Sequence, residues 1–327
     1  MSATPGSPDV DHRPRGRFPF PAYPNGWFRL AYSAELAPGD VKPLRYFGQD
    51  LVAYRDEAGQ AHVLDAHCPH LGAHLGFGGK VEGSGLRCPF HAWRWEGDGS
   101  CSDIPYAKRI PPNAKIRVWP SAEKNRILFV WHHVEGKPPE YELPDLPQLE
   151  DPDWSEYEIR RWEVHSRWLD MNENAVDRAH FQFVHGTKSM PAGSVEMDAH
   201  MLRCTNPCKL GTPRGEVDGS IDTTDFGPGL QTVHLTGIVE TLMVNTSTPI
   251  DEETTDTSFA YSVNTSGDAA QARGVGAAII RDLEKQMSED IPIWEHKKYY
   301  AQPLLCDGDG KFSIYRRWMR QFFSEEW

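Results

Sequence analysis

Two short segments of the chain each pair a cysteine with a histidine. Cys68-Pro69-His70 and Cys88-Pro89-Phe90-His91 are separated by 17 residues, and that interval is crowded with Gly72, Gly76, Gly78, Gly79, Gly83 and Gly85. A [2Fe–2S] centre with two sulfurs on one iron and two imidazoles on the other needs this ligand set. Two loops supplying one ligand of each kind can clamp such a cluster between their tips, and the glycines let backbone amides approach its sulfides. A structural zinc also accepts two cysteines and two histidines, but its motifs pair like with like at short spacing. Here the kinds are mixed within each loop, which favours the cluster. Neighbouring His67 and His74 are left as hydrogen-bonding loop residues.

A second constellation lies in the run from Asn172 to Gly186, which holds Asp177, His180 and His185. On a helix Asp177 and His180 share a face. His185, five beyond His180, falls off that face unless the helix ends before Gly186, a residue suited to a helix C-terminus. Non-haem Fe(II) sites use two histidines and one carboxylate and keep positions open. The third ligand must come from elsewhere. Further on, Ile280, Leu283, Met287, Ile291 and Trp294 recur at intervals of three and four, tracing a buried helix face. Asp290 falls on that stripe, where a carboxylate is costly unless paired or metal-bound. Glu284 and Glu289 fall off it and read as solvated charge.

The elements that must position these groups change character along the chain. Residues 1–26, with six prolines, cannot hold regular hydrogen-bonded structure and read as a mobile arm. Over 27–136, short apolar runs such as Ile127-Leu128-Phe129-Val130-Trp131 alternate with Gly- or Asp-containing turns, the pattern of an all-β domain. A Pro-rich connector over 137–153 marks a boundary. Over 154–327 a helical stretch near 169–184, strand-like runs over 232–244 and 257–263, and a long helix over 270–291 make an α+β domain. The 34 basic and 47 acidic side chains give a net charge of −13, which excludes nucleic acid as a default partner. No apolar stretch is long enough to span a membrane and residues 1–17 lack a secretory block, so a cytoplasmic protein is expected. The six cysteines are too sparse for a disulfide framework.

Cys68-Pro69-His70-Leu71-Gly72 and Cys88-Pro89-Phe90-His91-Ala92-Trp93 resemble the two loops of the Rieske non-haem iron oxygenases. Respiratory Rieske proteins carry an extra cysteine in each loop, where this chain has Ala73 and Phe90. The family pattern Asn-x2-Asp-x2-His-x4-His is met by Asn174, Asp177, His180 and His185, and its distal aspartate by Asp290. The resemblance implies an N-terminal Rieske domain, a C-terminal helix-grip domain with an antiparallel sheet around a helix, and a homotrimer. It also implies that Asp177 bridges His91 of a neighbouring subunit to His180 and so carries electrons between centres.

Trp93-Arg94-Trp95, Ile104-Pro105-Tyr106-Ala107, Pro303-Leu304-Leu305-Cys306 and Tyr315-Arg316-Arg317-Trp318 resemble the oxygenase component of 3-ketosteroid 9α-hydroxylase and, less closely, the cholesterol 7-desaturases. Phe226-Gly227-Pro228-Gly229 and the run over 236–248 read more like the sterol-acting members. The expectation is therefore a monooxygenase acting on a steroid, sterol or similar polycyclic substrate with dioxygen. One [2Fe-2S] cluster would be held by Cys68, His70, Cys88 and His91, and one Fe(II) by His180, His185 and Asp290, with Asp177 and Asn174 in catalytic roles. Electrons would come from a flavin and iron–sulfur reductase using NAD(P)H, or from a ferredoxin, since the chain has no Gly-rich dinucleotide fingerprint. Desaturation, dioxygenation and a non-catalytic electron carrier are the alternatives. Phe181, Phe183, Met190, Leu235, Met243 and Val244 are candidate pocket residues.

Overall fold

A computed structural model describes residues 17–186, 193–212 and 215–325. In the N-terminal domain Gly26–Tyr32 pairs antiparallel with Ile127–His132, which pairs with Ser121–Lys124. Every residue of the first two strands is buried. A strand covered on both faces reads as a nearly unbroken apolar run, which is why these segments do not alternate. Val41–Tyr46, Gln49–Arg55 and Ala61–Asp65 form a second antiparallel sheet. Lys80–Glu82, Gly85–Arg87, Arg94–Glu96 and Cys101–Asp103 form a four-stranded meander. Of the two cysteine–histidine loops, the first precedes this meander and the second joins its second strand to its third.

The C-terminal domain is built on an eight-stranded sheet. Its main path runs Glu158–Val164, Thr255–Val263, Thr241–Pro249, Leu230–Leu235, Gly215–Phe226, Met201–Thr205, Ser194–Asp198, and Pro207–Thr212 also pairs with Gly215–Phe226. The strand-like run over 232–244 is thus two strands. Residues 236–240, with Gly237 at φ +109°, turn the chain between them. Among the described residues four α-helices accompany the sheet: α1 (Trp168–Asn172), α2 (Ala179–Phe183), α3 (Ala269–His296) and α4 (Phe312–Met319). The Asp268 carboxylate opens α3 by accepting from the amides of Ala270 and Gln271, both at 3.0 Å. Ile280, Met287 and Trp294 are buried on its inner face, each contributing on the order of 2 kcal/mol by burial.

Alternation along the sheet gives its two faces different partners. Leu230, Leu242, Val244 and Ala260 pack against Trp27, Tyr32, Ile127, Phe129 and Trp131 of the N-terminal domain. Val233, Met243 and Tyr261 face the other way, toward Ile280 of α3. Polar groups also cross the first of these interfaces. Arg29 is 1% exposed, pairs with Asp256 at 2.7 Å and donates to Thr246 Oγ1 at 2.8 Å. Gly229 packs against Trp27, whose carbonyl a Cβ would meet at 2.2 Å.

Two expectations are corrected. Residues 17–24, grouped by their prolines with a mobile arm, are packed in place, the first of them on the C-terminal domain and Tyr23 and Pro24 against Phe47 and His132 of the N-terminal domain. Phe18 and Phe20 are buried with Trp168, Leu169, Tyr299 and Trp318, and Arg17 Nε donates to the Lys297 carbonyl at 2.9 Å. Proline removes donors and fixes φ, but it does not prevent neighbouring aromatic rings from being buried. Residues 1–16 of that segment lie outside the described residues. The single helix expected near 169–184 is broken. α1 passes into a 3₁₀ turn over Glu173–Ala175, and α2 starts afresh after Asp177. The connector over 137–153 is packed, with Leu143, Leu146 and Leu149 buried against the interdomain core.

Candidate active site

The two cysteine–histidine loops close in the same way. Gly72 donates its N–H to the Cys68 carbonyl at 2.9 Å, and Ala92 to that of Cys88 at 3.2 Å. Gly72 has φ +77° and Ala92 φ +58°, so each loop turns through a left-handed residue four positions after its cysteine. The fold then sorts the candidate ligands by kind across the loops. The Cys68 and Cys88 thiols are both buried in one core cluster, and burial pushes the Cys68 thiol up. The His70 and His91 rings meet edge to face, with centroids 4.7 Å apart, and His70 stacks on Trp93 at 4.6 Å. Sulfur beside sulfur and imidazole beside imidazole is the arrangement a Rieske-type cluster needs. His91 Nδ1 is buried without a protein partner, as a nitrogen reserved for a metal would be. His67 and His74 bond to loop and strand groups instead: His67 to the Gly72 carbonyl and Asp50, and His74 to the Gly76 amide.

In the C-terminal domain His180, His185 and Asp290 each bring a ligand atom to a common point, with those atoms all within 4.8 Å of one another. Asp177 starts α2 by capping it, its Oδ1 accepting from the amides of Ala179 (3.1 Å) and His180 (3.3 Å). Its backbone carbonyl accepts from His180 Nδ1 at 2.7 Å. The helix stops at Phe183, the His185 amide reaches back to the His180 carbonyl at 3.4 Å, and Gly186 follows at φ +69°. This left-handed stop swings His185 round to His180, their ring centroids 5.2 Å apart. His185 Nε2 is 3.3 Å from Asp290 Oδ2. Burial pushes the Asp290 carboxyl up to about 6 against the pull of His185, and burial lowers the His180 imidazole. A carboxylate disfavoured by burial beside an imidazole, that of His180, held neutral is a donor set that a divalent cation would stabilise.

The surrounding groups fix these three side chains. Glu289 Oε2 lies 3.0 Å from His185 Nδ1. Glu289 is therefore not the merely solvated charge that its place off the apolar stripe indicated. It sits at the helix edge, where it can reach a ring carried on α2's trailing loop, 104 positions away in sequence. Asn174 donates from Nδ2 to Asp290 Oδ2 at 3.3 Å and accepts from Trp294 Nε1 at 3.4 Å. The indole N–H can only donate, so it fixes which way the amide faces. From α4, Arg316 makes a two-point ion pair with buried Glu173. Gly310 lies so close to the Val176 carbonyl that a Cβ there would come within 1.6 Å of it. Glu289, Trp294 and Arg316 were missed as site residues, because each acts through a partner more than a hundred positions away.

The triad borders a cavity of about 760 Å³ between the sheet and α3. Its walls include Phe181, Val233, Leu235, Met243, Phe259 and Leu283, with Thr223, Gln231 and Asn245 as polar groups on the sheet. Phe181, Leu235 and Met243 thus line it as expected. Phe183 is instead 80% exposed, and Val244, one step from Met243, points to the opposite sheet face. Met190 lies outside the described residues.

The Rieske [2Fe-2S] domain family matches residues 26–120, and the 3-ketosteroid 9alpha-hydroxylase C-terminal domain family matches residues 130–323. A cholesterol 7-desaturase of Xenopus laevis is 32% identical over 95% of this chain and 74% of its own length. A 3-ketosteroid-9-alpha-monooxygenase oxygenase component of Rhodococcus rhodochrous is 32% identical over 92% of this chain and 84% of its own. Among solved structures, dicamba monooxygenase bound to 3,6 dichlorosalicylic acid superposes with a TM-score of 0.75 at 19% identity, covering 91% of this chain and 96% of that one. At that identity the likeness establishes the fold. Among the described residues no helix is long and apolar enough to cross a membrane.

Proposed function

Because the chain belongs to the family of Rieske oxygenases carrying the 3-ketosteroid 9alpha-hydroxylase C-terminal domain, we propose that it is the oxygenase component of a monooxygenase hydroxylating a C–H bond of a steroid, sterol or similar polycyclic substrate. The observation that carries this reading is a largely apolar cavity bordered by all three residues of a two-histidine, one-carboxylate set. Cys68, His70, Cys88 and His91 would hold the cluster, and His180, His185 and Asp290 the mononuclear iron. When bound, the cluster supplies single electrons and the iron supplies the activation of dioxygen.

The chain's own residues prepare the site. Glu289 accepts the Nδ1 proton of His185, and the Asp177 carbonyl accepts that of His180, so both rings offer Nε2 as the metal-binding nitrogen. Asn174, oriented by Trp294, holds Asp290 in place. The apolar walls bind a rigid hydrocarbon by excluding water from it. The Asp177 carboxylate caps α2 through one oxygen, and its other oxygen would accept from His91 of a neighbouring subunit in a homotrimer. A separate reductase of flavin and iron–sulfur type, or a ferredoxin, would be the electron donor, in keeping with relatives named as oxygenase components.

Desaturation is a second reading, favoured by the 32% identity to the Xenopus laevis desaturase; it begins with the same hydrogen abstraction. Iron analysis and turnover test the proposal. An oxygenase holds about three irons per chain, against about two for an electron carrier, and with a reductase it couples oxygen uptake to an oxidised steroid product. A protein with about two irons per chain and no such product would be a carrier.

A further inference from the structure

His180 and His185 lie on α2 and the residues behind it, whereas Asp290 comes from α3, so the triad depends on the distance between two separate elements. The segment 17–20 touches both sides. Phe18 and Phe20 share a buried cluster with Trp168 and Leu169 of α1 and with Val176, which directly precedes Asp177. Arg167, the residue before α1, lays its guanidinium over the two rings at 5.0 and 5.4 Å and donates to the Phe20 carbonyl. On the other side Arg17 reaches the C-terminal end of α3. Its Nε donates to the Lys297 carbonyl at 2.9 Å, one terminal nitrogen donates to the Trp294 carbonyl, and the other to the His165 carbonyl at 2.7 Å. The Tyr299 amide donates back to the Arg17 carbonyl at 3.4 Å.

That end of α3 needs a hold from outside. Pro292 has no N–H, so the helical bond to the Ser288 carbonyl, which would span Asp290, is missing. The Trp294 carbonyl lies in the last turn, where no later helical N–H reaches it, and the guanidinium both satisfies it and complements the negative end of the helix. Lys297 Nζ with Asp170 at 3.2 Å and the His165 amide with Glu295 at 3.2 Å also tether this end, but through the side chains of residues 297 and 295. Arg17 bonds to Trp294 itself, whose indole donates to Asn174, which donates to Asp290. We infer that the strap over 17–20 is a positioning element for the mononuclear iron, fixing the separation between the two histidines and Asp290, with Arg17 acting on the carboxylate through Trp294 and Asn174. This rests on the iron-site reading above.

The test follows transfer of ferrous iron from the full chain, with both centres loaded, to the chelator ferrozine, well below the melting temperature. Arg17→Met keeps the apolar stem and removes the donors. Iron then leaves about tenfold faster, the lower end of what outer partners of a metal site contribute, while the visible absorption of the cluster is unchanged. Arg17→Lys, which keeps the charge and a donor, recovers part of the loss, and Arg17→Gln, shorter and neutral, serves if Arg17→Met does not fold. Trp294→Phe removes the N–H that holds Asn174, and Arg17→Met added to it costs nothing more, because both act along one path. A wild-type rate of release in Arg17→Met despite a lowered Tm, or an equal further loss in the Trp294→Phe background, overturns the inference and leaves the iron-site reading standing. A wild-type chain that yields no iron beyond the cluster's own pair overturns the iron-site reading and the inference with it.

Discussion

Glu289 Oε2 sits 3.0 Å from Nδ1 of His185, whose other ring nitrogen lies 3.3 Å from Asp290 Oδ2. Consecutive residues of α3 therefore address opposite sides of one imidazole, and the His185 side chain is only 2% exposed. The hydrogen bond with His185 holds the Glu289 carboxyl below its ordinary range. Glu289→Ala leaves the ring free to rotate and exchange tautomers, and outer partners of this kind are worth about 10–100-fold in metal affinity. Glu289→Gln keeps an acceptor and loses less. Competition with an Fe(II) chelator measures both, and full retention of iron by the alanine variant would show the contact to be idle.

Asp290→Ala separates the two centres. It removes the one carboxylate of the triad while leaving the cysteine–histidine loops, which lie in the other domain, untouched. Iron content falls from about three to about two per chain, and the visible absorption of the cluster persists. Loss of that absorption with the third iron retained would contradict both ligand assignments.

Asp225 gives the protein a pH dependence whose sign is fixed by burial. Its carboxyl is pushed from 3.8 up to about 7 by desolvation. Between these values the native chain holds a proton that the unfolded chain has released, so this group's contribution is fully present below about pH 4 and is lost as pH rises through about 7. A rise of that size corresponds to roughly 4 kcal/mol at about pH 8. Asp225→Asn keeps a carbonyl acceptor for Gln231 and removes the titration. Thermal unfolding followed at about pH 5 and about pH 8 should show the variant gaining more Tm at the higher pH. Equal gains at both would mean that the native carboxyl titrates normally.

The Arg29–Asp256 pair joins the two domains, with side chains 2% and 15% exposed. Tyr46 also donates to Asp256, at 2.6 Å. Removing one member of a buried pair leaves the other charge uncompensated, at a cost of about 3–5 kcal/mol. Asp256→Ala should therefore lower the urea midpoint well beyond what an exposed substitution does, and a midpoint within error of wild type would place the pair in solvent.

Short spacing is what made features of this molecule legible in advance. The loops around Cys68 and Cys88 carry their ligands within four residues, and the buried stripe of α3 repeats regularly enough to expose Asp290 as a carboxylate out of place. Gly186 likewise announced the stop that returns His185 to His180. Long-range partners left no such mark: Glu289 resembled any charge at a helix edge, Arg29 interrupted an apolar strand without naming Asp256, and Phe18 was hidden among prolines. The break before α2 was missed because Asp177 satisfies helix periodicity as well as it satisfies the role of a cap, and only the backbone distinguishes the two.

That cap makes Asp177→Asn an informative substitution. Asparagine is as good a helix cap as aspartate, so the amides of Ala179 and His180 keep their acceptor, and the backbone carbonyl that holds His180 Nδ1 is unchanged. Both metal centres should therefore load normally. What is lost is a negative charge and one oxygen acceptor, replaced by an amide donor that opposes an approaching imidazole N–H. If that oxygen receives His91 of a neighbouring subunit, reductase-driven turnover falls by about 100-fold and reoxidation of the reduced cluster slows with it in rapid-mixing experiments. Asp177→Ala serves as the contrast: it also removes the cap, worth about 1 kcal/mol, and should loosen iron as well as slow turnover. Wild-type turnover in Asp177→Asn would reduce Asp177 to a helix cap and require another route between the centres.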